Sequence, residues 1–115
     1  MGYGTGFVDG KESEDMEKIV IFEQTVEMKK EASYADMEQS LLKGDAHEVM
    51  WVDTWQEAKD YLNKHPGKYW IESGYASRIQ RVQGTYAVEC EIDEDNGEIL
   101  SMGDMEFSEL TKANA

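Results

Sequence analysis

Tyr86, Val88, Cys90 and Ile92 alternate with Ala87, Glu89, Glu91 and Asp93, and Asn96-Gly97 follows three residues later. A period of two demands a strand with one buried and one wet face. Asn-Gly is the dipeptide best suited to a tight hairpin, because both positions tolerate positive φ. Ile99, Leu100, Met102, Met105 and Phe107 then supply the apolar residues of a return strand. The same stretch is extreme in charge. Between Arg81 and Lys112 there is no basic residue, whereas nine acids occur: Glu89, Glu91, Asp93, Glu94, Asp95, Glu98, Asp104, Glu106 and Glu109. The sequence therefore predicts acids displayed on a folded hairpin, not scattered along a tail.

With 115 residues, 40% apolar and 31% charged, the chain has the size and composition of one globular domain. Residues 1 to 16 read as a flexible arm, since Gly2, Gly4, Gly6 and Gly10 disfavour regular structure. Residues 17 to 115 read as the domain. A first strand is expected from Ile19 to about Lys30, with Val20, Phe22, Val26 and Met28 on one parity. Ile21 interrupts the polar parity, which predicts burial on both sides there.

Two helices are marked by their starts. Ser33 with Asp36, and Thr54 with Glu57, each place a hydroxyl N-cap three residues before an acid. The first helix is expected to stop at Gly44 and the second at His65-Pro66-Gly67. His65 suits a helix end, where unpaired carbonyls favour a cation. Val49-Met50-Trp51-Val52 between them reads as a central strand, and Tyr69-Trp70-Ile71 as a third. Residues 73 to 84 are ambiguous, with Arg78 to Val82 able to begin a strand. The expected class is α+β: two short helices packed on a mostly antiparallel sheet of about four to five strands, with a C-terminal hairpin.

Little points to catalysis. The only histidines are His47, expected in a loop, and His65, and no nucleophile, metalloprotease or P-loop signature occurs. Placing Gly97 at the sixth position of a calcium loop puts Ile92 at the first, so that register fails. No metal, cofactor or enzymatic activity is expected. The single cysteine, Cys90, reads as a buried core residue and allows no internal disulfide, which fits a reducing, cytoplasmic setting. No apolar run is long enough to predict a membrane span, and no secretory signal is evident.

A net charge of −14 repels nucleic acid and attracts basic protein surfaces. Acidity can also serve solubility alone. What favours binding is order: alternate residues of a strand lie about 6.5 to 7 Å apart, a repeat comparable to successive phosphates of an extended nucleic-acid backbone. The expected partner-binding residues are Glu89, Glu91, Asp93, Glu94, Asp95, Glu98, Asp104 and Glu106, with Trp70 and Tyr75 as aromatic anchors. The expected function is that of an inhibitor or modulator, a phage-type nucleic-acid mimic that occupies the basic cleft of a nucleic-acid-processing enzyme. The likeness to such antagonists is one of size and charge. The alternative is an adaptor, homodimeric through an exposed sheet edge, whose acidity is incidental.

Overall fold

The computed structural model describes residues 15–29, 31–43, 45–73 and 78–113. In chain order the elements are β1 (Asp15–Lys29), α1 (Tyr34–Leu41), β2 (His47–Val52), α2 (Trp55–Lys64), β3 (Gly67–Ser73), β4 (Arg78–Asp93), β5 (Ile99–Phe107) and β6 (Leu110–Lys112). β1 and β4 form the spine. They run antiparallel from Asp15 opposite Asp93 to Lys29 opposite Ile79. The outer edge of β1 carries β2, and the outer edge of β4 is shared between β3 and β5. The three-residue β6 pairs parallel with β3, and every other pairing is antiparallel.

The result is an α+β domain with six strands rather than four or five. The additional strand is β6, whose three residues are too few to leave a periodic signal. Gly84 stays in register opposite Gln24, so β4 runs unbroken. β2 is a further correction. It has β1 as its only partner among the described residues, so it is an edge strand and not a central one. Its continuous apolar run arises because Trp51 serves one core while Val49 and Val52 serve the other. His47 opens this strand and is not in a loop. Residues 1–14 of the expected arm lie outside the described residues, as does Gly44, the expected stop of the first helix, while Asp15 and Met16 already belong to β1.

Each face of the sheet is covered by one helix. Even-numbered residues of β1 and β4, including Val20, Phe22, Val82, Tyr86, Val88, Cys90 and Ile92, pack with Met37 and Leu41 of α1. On the other face, Ile19, Ile21 and Ala87 pack with Ala58 and Leu62 of α2. Ile21 is fully buried, as its position on the polar parity predicts.

Both helices are shorter than isolated peptides need to be stable in water, so their ends and packing decide whether they form. Both capping boxes close. Ser33 Oγ accepts from the Asp36 N–H and Asp36 Oδ2 accepts from the Ser33 N–H; Thr54 and Glu57 repeat the exchange. At the far end of α1 the cap comes from the sheet. The Gln24 amide donates to the carbonyls of Leu41 at 2.9 Å and Lys43 at 2.5 Å. At the end of α2, His65 Nδ1 donates to the Tyr61 carbonyl at 2.9 Å and its ring stacks on Tyr61. Thr54→Ala removes one half of a box and is expected to cost about 1 kcal/mol, read as a lower melting temperature with an unchanged folded spectrum.

Candidate acidic surface

The β4–β5 hairpin is present, but its turn is not the two-residue type. Asp93 N–H donates to the Glu98 carbonyl, and Gly97 N–H donates to the Asp93 carbonyl, both at 2.8 Å. Four residues, Glu94 to Gly97, thus form the loop, with Gly97 at φ +73°. Side chains stabilise this longer form: Asp93 Oδ1 accepts from the Asp95 N–H and Asn96 Oδ1 from the Glu98 N–H, both at 2.8 Å. The turn acids Glu94, Asp95 and Glu98 are exposed at the end of the sheet.

Glu89, Glu91 and Asp93 project from the face that α2 covers, but beyond that helix. Ala87, on the same parity, is buried beneath α2, whereas Glu89 and Glu91 are exposed. The register of β1 brings in two acids that the sequence reading left out. Glu17 stands directly opposite Glu91, and Asp15 directly opposite Asp93. On the other side of β4, Ser101 stands opposite Glu91 and Glu106 opposite Ala87. The row of carboxylates becomes a grid on three strands, about 7 Å along the strand and about 5 Å across it. Asp15 and Glu17 share the parity of Ile19, which is the signal that could have found them. Treating residues up to 16 as an arm hid it.

Glu17, Glu89 and Glu91 line one shallow groove of about 210 Å³ together with Ser101 and Gly103. Ser101 Oγ donates to Glu91 Oε1 at 3.3 Å. Gly103 leaves room for Glu89, since a Cβ there would lie 3.4 Å from Glu89 Oε1. Two irregularities in the β4–β5 register, between Val88 and Cys90 and between Glu91 and Ile92, displace β5 locally. Asp104 is exposed beside the first of these, and Glu106 is half-buried.

Among the described residues, none of these carboxylates lies within ion-pair distance of a basic group. The ion pairs present join Lys18 to Asp53, and Arg81 to Glu27 and Glu72. Like charges directly opposite on neighbouring strands destabilise a sheet. Glu17→Lys would replace one such clash with an attraction across to Glu91. It is expected to raise stability by about 0.5 to 1 kcal/mol, a gain of a few degrees in melting temperature.

Trp70 is not part of this surface. It stands opposite Arg81 at the other end of β4, about 27 Å along the strand from Glu89, with α2 between them. There Lys68 lies over its ring, and its Nε1 donates to Glu72 at 3.3 Å. The hydrogen bond from Arg81, with that from Trp70, holds the Glu72 carboxyl below its ordinary range. The stability this contributes is present above the unfolded value and is lost as pH falls through the lowered folded one. It is small, because the side chain is 42% exposed. Tyr75 lies outside the described residues. Cys90 is buried, and burial, with Glu48 and Glu89 nearby, pushes its thiol up, away from the reactive thiolate.

No three or more His, Cys, Asp or Glu side chains among the described residues are arranged to hold a metal ion, and no helix there is long and apolar enough to cross a membrane. No family model matches this chain, and neither a curated protein nor a solved structure matches it.

Proposed function

We propose that this protein is an inhibitor or modulator that presents its acidic grid to a basic protein surface, in the manner of a nucleic-acid mimic entering the cleft of a nucleic-acid-processing enzyme. It acts by occupying that surface and not by catalysis. The observation that carries the reading is the set of facing acids, Glu17 with Glu91 and Asp15 with Asp93, that continues into Glu89 on a hydrogen-bonded sheet with no ion pair to any of them among the described residues; Lys18, the nearest basic residue in β1, pairs with Asp53. Such pairs lower stability. A partner rich in Lys and Arg would convert the repulsion into binding, and a rigid sheet would present the charges already ordered.

The test is capture from a bacterial lysate at low salt and again at high salt, with mass spectrometry of what is retained. One nucleic-acid enzyme, retained at low salt and released at high salt, is the expected result. Retention of a salt-resistant protein unrelated to nucleic acid would contradict it. The second reading, an adaptor joined through an apolar surface, draws on the exposure of Leu100, Met102 and Met105 along β5. It predicts an interface that tolerates salt.

A further inference from the structure

The face opposite the acidic grid carries an apolar cleft of about 390 Å³ between β5 and the segment that leaves α1. Its floor is Phe22, Tyr86 and Val88, all buried. Phe22 stacks on Tyr86, and Phe107 lies tilted against Tyr86, with ring centroids 5.3 Å apart in each pair. Leu42 and Ala46 form one wall, and Met102 and Met105 the other. These two methionines are 57% and 41% exposed, and Leu100 beside them is 48% exposed. Methionine is flexible and polarizable and adapts to varied apolar partners.

We propose that this cleft docks a basic amphipathic segment of the partner protein, with one or two large apolar side chains entering it. Three observations select that occupant. The volume suits one or two such side chains. The charges in and beside the cleft are mainly acidic: Asp45 lines it, Glu48 on the same face stands opposite Phe22, and Asp104 lies between the two methionines in β5, against the single Lys43 next to Leu42. No basic residue lines it among the described residues. A second copy of this chain would bring the same carboxylates against them, with a further net charge of −14. Addition of an extended strand to β5 is disfavoured by the two register shifts, which interrupt its regular ladder. The inference shares with the proposed function a basic partner, but it rests on the opposite face and, apart from Met102, which also borders the acidic groove, on different residues.

The test uses two labelled synthetic peptides and fluorescence anisotropy. One is an amphipathic helix with Leu on one face and Lys on the other. Its sister has Ser in place of every Leu. The native protein is expected to bind the Leu/Lys peptide at least about tenfold more tightly than the Ser/Lys peptide. The double variant Met102→Ser, Met105→Ser should lose that preference while binding the Ser/Lys peptide as before. Its melting temperature should fall only slightly, because about half of each side chain is already exposed. Reversing Glu89, Glu91 and Asp93 should weaken both peptides and leave their ratio intact. Equal affinity of the native protein for the two peptides would overturn the inference. So would a preference that survives in the double variant, or sedimentation as a dimer that the double variant abolishes. If the triple reversal left the Ser/Lys peptide unaffected, the acidic-grid reading would fail and the cleft would stand.

Discussion

Gly67→Ala is expected to lower stability by about 3 kcal/mol, a fall of more than ten degrees in melting temperature. Gly67 and Gly84 lie opposite each other where β3 meets β4, one step beyond the Lys68–Gln83 pair. A Cβ on Gly67 would lie 2.6 Å from Leu110 Cδ2 and 2.8 Å from the Gln83 carbonyl oxygen. The leucine could rotate, but the carbonyl is backbone, and moving it means parting β3 from β4. A Cβ on Gly84 would overlap Leu41 Cδ1 instead. That contact is with a side chain, though Leu41 is fully buried and has little room to turn. Gly84→Ala is therefore expected to cost less, about 1 to 2 kcal/mol. The paired glycines make a hollow in the sheet that Leu41 of α1 and Leu110 of β6 fill. Gly103→Ala serves as the control. Its Cβ would meet only Glu89, at 3.4 Å or more, and stability should stay within about 0.5 kcal/mol. Thermal denaturation of the three variants checks all of this. Equal stability of Gly67→Ala and Gly103→Ala would show that the β3–β4 approach is not as close as described.

Reversing Glu89, Glu91 and Asp93 to Lys together is expected to weaken binding to a basic partner by more than about 100-fold at low salt. Close charge pairs at protein interfaces couple by about 1.5 kcal/mol or more each, and about 2.7 kcal/mol in all corresponds to 100-fold. Stability should not fall with it. A lysine in place of Glu91 would face Glu17, and one in place of Asp93 would face Asp15, so two repulsions become attractions. These offset the loss of the turn bond that Asp93 accepts and of the Ser101 bond to Glu91, and the melting temperature is expected to stay within a few degrees of native. Loss of binding at nearly unchanged stability is a combination that general unfolding cannot imitate. Loss of both together would mean that the carboxylates support the fold.

The parts of the fold written in local pattern were legible. The alternation from Tyr86 to Asp93 marks a strand with its acids outward, and Ile21 marks a segment covered on both sides. The caps at Ser33, Thr54 and His65 are recorded in residues three or four apart. What was not legible depends on register between distant segments. Nothing local tells that Glu17 meets Glu91, that Gly67 meets Gly84, or that β2 has neighbours on only one side. Parity within a strand does not relate Trp70 to Glu89, which lie on different strands. Only the unbroken run of β4 through Gly84 sets them at opposite ends. The turn was misjudged for a local reason. Asn96-Gly97 favours a two-residue loop, but Asp93 and Asn96 accept backbone hydrogens two residues on, which stabilises four.

The central claim is that binding resides in the grid on β1, β4 and β5 and not in net charge spread over the molecule. Two triple variants of identical net charge separate these. Glu89, Glu91 and Asp93 changed to Lys remove the grid; Glu31, Glu38 and Asp60 changed to Lys leave it in place. Each reversal adds two charge units, so both variants go from −14 to −8. The measurement is the affinity of each, and of the native protein, for the Ser/Lys peptide over a series of salt concentrations. The account predicts that the second variant keeps affinity within about threefold of native and retains most of its salt dependence, while the first loses both. Equal weakening of the two variants would contradict it, because the attraction would then belong to the whole charge of the protein and not to an ordered surface.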